Sequence, residues 1–517
     1  MDICIIGAGY VGLVTAACLA EAGNRVACVE KDGARLEALA RGHSPIREPG
    51  LDGILAQTRR DGRLRFAADL ADGARGAEIV FIAVGTPPRA DGRADLSGVL
   101  ECAERLATVL DRETTVAVKS TVPVGTCERL QGILDASRQR RPGAGRVSVA
   151  SNPEFLAEGR AVADFRRPDR IVIGSDDAVA LARLRALYAP FDPGGTRVLC
   201  MDTRSAELAK YASNALLAAR ISLVNELARI AARVDADIEP VCRAAGADPR
   251  IGSRYLRAGA GFGGSCLPKD VLALIGMAED HGEPAELLRS VHRVNAAQTQ
   301  LLADAIAGHF AGRLAGRRIA VWGLAFKAGT DDLRDSPSVA LVRRLLAAGA
   351  WVKAYDPAAG TAAASALPHA RLEVAPDADA ALDGAEALAV MTEWPEFAHA
   401  DPARLAGRPG LGAVFDGRNL YEPEAVRRQG LAYYGIGRGR PPTLAAEAGA
   451  GNGKASEIDD TGAAGREAAG IEIAPTPTIA PATAHAGRLA RHGACPAPGS
   501  DQAAGAGLRP HPAFRPS

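Results

Sequence analysis

The first thirty residues constrain the fold more strongly than any other part of the chain. Residues 2–6 form a short apolar run that is typical of a strand buried on both faces, and the sequence GAGYVG follows at residues 7–12. A helical pattern runs from Val11 to Ala22, and a second apolar run over residues 25–29 leads to Glu30. A strand, a glycine-rich turn, a helix and a second strand in this order predict a doubly wound parallel α/β sheet that binds a dinucleotide.

Each glycine of this turn has a separate predicted role. Gly7 permits the tight turn, Gly9 lets the backbone approach a pyrophosphate, and Gly12 lets the helix pack closely on the strand. The carboxylate of Glu30 can accept a hydrogen bond from a ribose 2′-hydroxyl, and it would repel a 2′-phosphate, so the sequence favours NAD over NADP. Two nearby basic residues weaken this preference. The predicted cofactor contacts are Gly7, Gly9, Tyr10, Val11, Gly12, Glu30, Lys31 and Arg35.

The pattern along the whole chain predicts four segments. Strands alternate with helices to about residue 200, helices dominate the middle, and the α/β pattern begins again near Arg317. Beyond residue 440, alanine, glycine and proline make up 42 of 77 residues, too poor a composition to offset the entropy of ordering. We predict two Rossmann-like domains over 1–202 and 308–440, a helical central domain over 203–307, and a disordered low-complexity tail over 441–517.

Charge and cysteine content exclude several classes of protein. The 61 basic and 61 acidic residues balance, which argues against a bulk nucleic-acid binder. The nine cysteines include no CxxC pair and no cluster with metal-ligand spacing, so we expect no metal and reduced thiols in the cytoplasm. The chain opens on a strand pattern rather than a signal peptide, and no apolar run reaches the ~18 residues that span a bilayer. We therefore expect no nucleic acid and no membrane as partners.

Polar side chains follow several later strands, at the edge of a parallel sheet where ligands bind. The hydroxyls of Thr86 and Thr121 can bond a cofactor or a reacting oxygen, although ordinary turn chemistry also explains them. Glu154 and Glu158 are four residues apart and share one face if their segment is helical. Such a pair suits proton transfer or the binding of substrate hydroxyls, while a solvated first turn of a helix is the alternative.

The middle of the chain carries two further candidates. Lys210 and Asn214 are four residues apart on a predicted helix with small apolar neighbours, so the lysine either reaches solvent or is poised in a site. Cys266 follows a glycine-rich loop and precedes Pro268, which suits a first helical turn. A thiol at a helix N-terminus has a lowered pKa and becomes a better nucleophile, and Asp270 would lie within reach. A small buried structural cysteine is the alternative.

A nicotinamide site together with a nucleophilic cysteine indicates a particular reaction. Oxidation of an alcohol needs only a hydride acceptor and a base. Oxidation of the resulting aldehyde is easier through a thiohemiacetal on Cys266, which yields a second hydride and a thioester for hydrolysis. We therefore predict a four-electron oxidation of an alcohol to a carboxylate, with two NAD reduced per turnover.

Eight motifs then occur in a fixed order: GAGYVG, VGTP, KSTVPVGT, NPEFLAEG, KYASNA, GFGGSCLPKD, GLAFKAGTDDLRDSP and DGRN. With them, residues 1 to about 440 resemble the UDP-glucose/GDP-mannose dehydrogenase family. The resemblance implies oxidation of UDP-glucose at C6 to UDP-glucuronate with NAD as cofactor. It also implies that the third domain binds the UDP-sugar, and that the long helix around 205–235 forms a homodimer or higher homo-oligomer.

The resemblance further implies roles for individual residues. Cys266 would be the nucleophile, Lys210 would stabilise the oxyanion, and Glu154 would be the base for thioester hydrolysis. The other catalytic residues would be Asp270, Thr121 and Asn214, and further cofactor contacts would be Thr86, Thr121, Glu158 and Lys327. Phe262 and Gly263 would bracket the sugar, and Arg250 would cross a dimer interface. The implied substrate contacts are Glu154, Phe155, Leu156, Glu158, Lys210, Asn214, Arg250, Tyr255, Arg257, Phe262, Gly263, Phe326, Lys327 and Arg418.

Three alternatives stay open at this point. The same chemistry could act on GDP-mannose or a UDP-N-acetylhexosamine, although the run over residues 164–170 resembles the UDP-glucose branch. A two-electron hydroxyacid dehydrogenase would need neither the cysteine nor the third domain. A nucleotide-sugar sensor with a dead site would be expected to lack Cys266, which this chain retains.

Overall fold

Two parallel sheets, separated along the chain by a helical segment, make up the described structure. The computed structural model describes residues 1–439 except 142 and 144, so the tail predicted over 441–517 lies outside the described residues. Both sheets place a strand–turn–helix unit at the point where the strand order reverses. The predicted fold class, two doubly wound domains joined by helices, is confirmed for this part of the chain.

The first sheet has eight strands in the order β3-β2-β1-β4-β5-β6-β7-β8, and only the β6–β7 pair is antiparallel. Its core strands are buried on both faces, as the apolar runs predict. The strands are β1 Asp2–Ile6, β2 Arg25–Val29, β3 Leu64–Ala67, β4 Ile79–Ile82, β5 Thr114–Val118, β6 Val147–Ser151, β7 Ile171–Gly174 and β8 Val198–Met201. The helices are α1 Tyr10–Glu21, α2 Gly33–Ala40, α3 Leu51–Arg60, α4 Leu70–Ala74, α5 Ser97–Val109, α6 Thr126–Gln139, α7 Ala161–Arg166 and α8 Ala178–Tyr188, which runs into a short 3-10 turn at Ala189–Phe191.

The helical segment begins with a helix of 31 residues. The helices are α9 Thr203–Arg233, α10 Ile238–Gly246, α11 Leu267–Asp280 and α12 Glu286–His309. The pattern predicts nearly continuous helix from 202 to 245, and the structure interrupts it between α9 and α10. Asp235 adopts a left-handed conformation with φ 58°, and the side chain of Asp237 accepts from the backbone N–H of Glu239 to cap the next helix.

The second sheet has six parallel strands in the order β11-β10-β9-β12-β13-β14. The strands are β9 Arg318–Trp322, β10 Trp351–Tyr355, β11 Leu372–Val374, β12 Ala387–Val390, β13 Ala413–Asp416 and β14 Ala432–Gly435. The helices are α13 Pro337–Ala347, α14 Gly360–Ala366, α15 Ala378–Leu382, α16 Pro395–Ala398, α17 Pro402–Ala406 and α18 Pro423–Arg427. The sequence pattern does not predict the edge strands β3, β8, β11 and β14, because they are short and most residues of β8 and β11 are only partly buried.

The described residues contain no helix that is long and apolar enough to cross a membrane. Over the same residues, no group of three or more histidine, cysteine, aspartate or glutamate side chains could hold a metal ion.

Candidate active site

The turn after β1 forms an open cradle at the start of α1. Gly7 has φ +103°, and a Cβ there would lie 2.8 Å from the carbonyl oxygen of Ala83. A Cβ on Gly12 would lie only 1.8 Å from the carbonyl oxygen of Gly7, so helix and turn are in direct contact. Gly9, the N-cap of α1, has no heavy atom within 4 Å of the place a Cβ would take. This space at a helix N-terminus fits the pyrophosphate of a dinucleotide.

These glycines give a matched pair of variants. Gly12→Ala is expected to destabilise the fold by about 3 kcal/mol or more, because the new methyl group meets backbone rather than a movable side chain. Gly9→Ala is expected to keep the melting temperature of the native chain and to weaken NAD binding at least tenfold, because its methyl group would occupy the cradle. Thermal unfolding and calorimetric titration with NAD measure both. Unchanged NAD affinity in Gly9→Ala would contradict this assignment of the cradle.

Glu30 stands beside the cradle, at the end of β2. The side chain is 7% exposed, and its two oxygens accept from the backbone N–H groups of Ala8, at 3.1 Å, and Asp32, at 2.9 Å. Arg35 approaches within 4.0 Å of the same carboxylate, while Lys31 is exposed. The carboxylate is therefore fixed close to the cofactor turn and keeps free lone pairs for a ribose hydroxyl.

The segment over residues 152–159 follows β6 and is not helical, which corrects the expectation that Glu154 and Glu158 share a helix face. Its backbone N–H groups are bonded to side chains instead: Leu156 donates to Glu154 at 2.6 Å and Ala157 to Asp164 at 3.0 Å. Gly159 ends the segment at φ +82°. Because the chain is extended, the two glutamates point to different partners. We call residues 152–159 the catalytic loop.

Glu154 forms a buried ion pair with Lys210. The Nζ atom of Lys210 lies 3.0 Å from Oε1 of Glu154, and the two residues are 4% and 7% exposed. Burial opposes both charges, yet Lys210 holds the pKa of Glu154 below its ordinary value and Glu154 raises the pKa of Lys210. Lys210 also lies 5.3 Å from the ring centre of Phe155, whose other neighbour is the guanidinium of Arg170 at 3.9 Å. The lysine does not reach solvent, so the first of the two sequence alternatives is excluded.

Asn214 and Asp270 join α9 to α11 one turn further along. Nδ2 of Asn214 donates to Oδ2 of Asp270 at 2.5 Å, and Lys269 forms an ion pair with the other oxygen. Asp270 is 1% exposed. Thr86 and Thr121 meet across the ends of two strands, where the hydroxyl of Thr86 donates to the carbonyl of Thr121 at 2.9 Å. The fold thus gathers most of the predicted catalytic side chains around the start of α11.

Cys266 is the N-cap of α11, and the residue as a whole is exposed, while its thiol is packed among charged groups of the site. The expectation of a lowered pKa is wrong. Burial and the carboxylates of Glu154 and Asp270 raise the pKa of the thiol above its ordinary value, and the opposing effect of Lys210 is too small to reverse this. Burial and the two carboxylates therefore raise the pKa of the thiol despite its position at a helix N-terminus. The thiol is therefore protonated at neutral pH and would have to lose its proton to act as a nucleophile.

Glu158 connects the catalytic loop to the third domain. Its carboxylate accepts from Thr330 at 3.0 Å and from Ser265, next to the cysteine, at 3.3 Å. Burial and the nearby Asp332 raise the pKa of Glu158. Gly159 packs so closely that a Cβ on it would lie 2.7 Å from the carbonyl oxygen of Gly329. All three parts of the described chain therefore meet at this site.

Phe262 does not line the site with its ring, which corrects the expectation that it brackets a sugar. The ring is 8% exposed and packs in an apolar cluster with Val271 and Ile275 of α11 and Val291 of α12. Gly263 faces the third domain, where a Cβ would lie 2.1 Å from the carbonyl oxygen of Asp335. The neighbouring glycine, Gly264, contacts the ring of Phe326 in the same way, at 2.8 Å.

The carboxyl ends of β9 and β12 lie side by side where the strand order of the second sheet reverses, the place where such sheets bind ligands, and we call this region the second recess. Lys327 lies over the ring of Phe326 at 5.5 Å, and burial lowers the pKa of its ammonium. The buried hydroxyl of Thr392 and indole nitrogen of Trp394 have no hydrogen-bond partner among the described residues. Arg418 is less free, because it already donates to the carbonyl oxygens of Met391 and Phe326. Sequence reasoning missed Thr392 and Trp394, and no motif in the chain marks them.

Three predicted substrate contacts lie on an exposed loop between α10 and α11. Arg250 forms an ion pair with Asp248 at 2.6 Å and makes no contact with the site of its own chain. Tyr255 is 45% exposed and has a left-handed backbone with φ 62°, and Arg257 is exposed beside it.

Two buried groups in the site have no predicted role. Lys119 follows β5 and is 4% exposed. Glu48 hydrogen-bonds the hydroxyl of Tyr10 and accepts from the backbone N–H of Gly159 at 2.8 Å. The hydroxyl of Tyr10 also accepts from the backbone N–H of Gly159 at 2.7 Å, so this side chain is bonded to the catalytic loop, and Tyr10 stays a predicted cofactor contact. Leu156, which is a predicted substrate contact, packs against the core of the first domain.

Comparison with known proteins agrees with this layout. Three regions match the UDP-glucose/GDP-mannose dehydrogenase family: its NAD binding domain over residues 1–192, its central domain over 204–297 and its UDP binding domain over 320–423. A UDP-glucose 6-dehydrogenase of Pseudomonas aeruginosa is 51% identical over 444 residues, 85% of this chain and 98% of the relative.

Two solved structures extend the comparison. A UDP-glucose dehydrogenase of Pyrobaculum islandicum superposes with a TM-score of 0.77 at 39% identity, over 84% of this chain and 97% of that one. A UDP-D-ManNAc dehydrogenase of Pyrococcus horikoshii superposes with a TM-score of 0.75 at 28% identity, over 85% and 99% of the two chains.

Proposed function

This chain belongs to the UDP-glucose/GDP-mannose dehydrogenase family, and we propose that it oxidises C6 of UDP-glucose from an alcohol to a carboxylate. The observation that carries the proposal is the meeting of the Cys266 thiol with the buried Lys210–Glu154 pair, beside the dinucleotide cradle. A two-electron alcohol dehydrogenase has no use for a thiol at this place. Bound NAD supplies the acceptor for each of the two hydrides.

Lys210 acts first in this proposal. As C6 gives a hydride to bound NAD, its hydroxyl proton passes to a water molecule and the aldehyde forms. The buried ammonium of Lys210 stabilises the negative charge that develops on this oxygen, and it is effective because few water molecules screen it. Asn214, held by Asp270, binds the same end of the sugar.

Cys266 then adds to the aldehyde. The S–C bond forms, and the proton of the thiol passes to the former carbonyl oxygen, which gives a thiohemiacetal. The thiohemiacetal then loses a second hydride from C6 to bound NAD and its hydroxyl proton to water, which leaves a thioester. The raised pKa of the thiol matters here, because the proton is lost only when the aldehyde is in place to receive it.

Glu154 serves the last step. Water adds to the thioester carbonyl, the C–S bond breaks, and the carboxylate leaves while Cys266 regains a proton. The pKa of Glu154 is below its ordinary value, so the group is ionised and able to accept a hydrogen bond from that water. Thr121 and Asp270 remain candidates for positioning the water.

The second recess is proposed to hold the nucleotide half of the substrate. Lys327 would bind the diphosphate, and the unpaired Thr392 and Trp394 would satisfy their polar atoms on it. Tyr255 and Arg257 would cover the uridine from the exposed loop. The family region matched here is described as a UDP binding domain, which supports this placement.

The test is the number of NADH molecules released per sugar, measured with UDP-glucose, GDP-mannose and UDP-N-acetylglucosamine in separate assays. We expect a ratio of two with UDP-glucose and much slower reaction with the others. A ratio of one would refute the thioester mechanism. Turnover only with one of the other sugars would keep the mechanism and change the substrate.

The long helix α9 supports a homodimer. One face exposes five apolar side chains that are spaced by three, four or seven residues and are 39–67% exposed, namely Leu216, Leu223, Leu227, Ile230 and Val234. A stripe of this kind on a helix of 31 residues is typical of a helix-packing surface. A partner chain seated on it would also give Arg250 a route to the partner's site.

Charge on this stripe is therefore expected to separate the subunits. The double substitution Leu216→Asp and Leu223→Asp should convert the dimer to a monomer and lower kcat/KM, as measured by light scattering and NADH formation. Val179→Asp, at a residue 46% exposed on α8, is the matched control and should stay dimeric. An unchanged mass in the double variant would contradict the proposed interface.

The eight free cysteines of the described residues support a reducing, cytoplasmic location.

A further inference from the structure

Lys119 is buried beside the active site without an acidic partner. It follows β5 directly and is 4% exposed, and among the described residues no carboxylate lies within ion-pair distance of its Nζ atom. A buried ammonium without such a partner is costly. A methionine of similar length would avoid that cost, since the rings of Phe81 and Tyr188 stand 5.8 and 5.7 Å away. The position therefore carries a charge that packing does not require.

The hydrogen bonds of Lys119 converge on the start of the catalytic loop. Nζ donates to the side-chain oxygen of Asn152 at 3.0 Å, to its carbonyl oxygen at 3.4 Å and to the hydroxyl of Tyr188 at 3.3 Å. Tyr188 donates in turn to Asn152 at 2.6 Å, and Asn152 donates to the carbonyl oxygen of Val172 at 2.8 Å. Asn152 is thus held from three sides, two residues before Glu154.

Two charged groups face Lys119, and both belong to the proposed chemistry. Burial lowers the pKa of Lys119 to about 8, with Glu154 of the catalytic loop opposing this shift and Lys210 of α9 adding to it. Lys119 in turn helps to hold the pKa of Glu154 down. Tyr188 of α8 is neutral, because burial raises the pKa of its hydroxyl. At neutral pH, two ammonium groups therefore act on one carboxylate.

We propose that Lys119 is a positioning residue for Glu154, which anchors Asn152 and keeps the glutamate ionised for thioester hydrolysis. Lys119 itself contacts neither sugar nor cofactor in this proposal, which rests on the proposed function because that function makes Glu154 the base. Protonated Glu154 cannot accept a proton from water, so the loss of the lysine charge should slow hydrolysis at the acid end of the pH range.

Lys119→Met tests this with two measurements. The acid limb of the kcat profile is expected to move to higher pH by about one unit, because one of two nearby positive charges is gone. Below neutral pH, acid quenching followed by mass spectrometry should find more of the enzyme acylated on Cys266 than in the native chain. The melting temperature should stay close to that of the native chain, because removal of a buried charge without an acidic partner offsets the hydrogen bonds lost to Asn152 and Tyr188.

Two further variants separate charge from structure. Lys119→Arg keeps the charge and should keep the native acid limb even if kcat falls. Tyr188→Phe removes two hydrogen bonds, to Lys119 and to Asn152, without removing charge and should also keep the native acid limb. Coincident limbs in Lys119→Met and the native chain would overturn the proposal, as would equal shifts in all three variants. A ratio of one NADH per sugar in the native chain would instead refute the proposed function. If the native chain prefers GDP-mannose or UDP-N-acetylglucosamine, the limbs are measured with that sugar.

Discussion

Cys266→Ser is expected to lower the steady-state rate of NADH formation by roughly a thousandfold or more. A serine hydroxyl has a far higher pKa than a thiol and adds poorly to the aldehyde, so the second oxidation has no covalent intermediate to act on. The cofactor and the sugar should bind as before, because Cys266 is an exposed N-cap that supports no core packing. The melting temperature should stay within about 2 °C of the native value, which corresponds to a surface substitution.

The measurement combines steady-state kinetics with trapping of the acyl-enzyme. Mass spectrometry of acid-quenched native enzyme should show an adduct on Cys266, and Cys266→Ser should show no thioester. Cys242→Ser, at a half-buried thiol on α10, is the matched control and should keep native rates. Native turnover in Cys266→Ser would show that another group carries the second oxidation.

Lys210→Met is expected to lower kcat by about a thousandfold and also to destabilise the protein. The two effects have different causes. Loss of the ammonium removes the stabilisation of negative charge on the sugar oxygen, and it leaves Glu154 buried without its partner. Breaking a buried pair in this way costs about 3–5 kcal/mol. The melting temperature and kcat are measured on the same preparation.

A second substitution separates these effects. Lys210→Met combined with Glu154→Gln should recover most of the lost stability, because the carboxylate that lost its partner is also removed, and should recover none of the activity. The dependence on pH gives a further check. In the native chain the pKa of Glu154 is lowered, so its contribution to stability is present at neutral pH and is lost as the pH falls through that pKa.

In Lys210→Met the sign reverses, since burial, opposed only by the N–H of Leu156 and the charge of Lys119, should raise the pKa of Glu154 above its unfolded value. The variant should therefore gain stability as the pH falls. Equal losses of stability in the single and double variants would show that Lys210 supports the fold through packing rather than through its charge.

Much of the fold follows from spacing within short segments. The apolar run over 2–6, the three glycines and Glu30 lie in one strand–turn–helix–strand unit, and each of them acts on its sequence neighbours. Local patterns of this kind can be recognised directly in the sequence. A buried strand is a short apolar run, a helix repeats apolar residues every three or four positions, and a glycine-rich turn interrupts both patterns. The edge strands β8 and β11 lack such a pattern, since most of their residues are only partly buried.

The catalytic loop shows where local spacing fails. The four-residue interval between Glu154 and Glu158 fits a helix, but Gly159 and the side-chain bonds to Leu156 and Ala157 hold the segment extended. The acceptors of these hydrogen bonds, Glu154 and Asp164, are close in sequence to the donors. The geometry of the bonds nevertheless depends on the direction in which the chain leaves β6. No rule of spacing distinguishes the two outcomes.

The amino-acid sequence alone predicts the parallel α/β class, the dinucleotide turn, the cysteine at the N-terminus of a helix and the family, because each depends on residues that are close together along the chain. Three features can be seen only in the folded chain. Lys210 contacts Glu154, 56 residues away in sequence, and Glu158 contacts Thr330, 172 residues away. The pKa of Cys266 is raised rather than lowered. The physical reason is that charge and burial act through space, so the state of a titratable group depends on distant segments that only folding brings together.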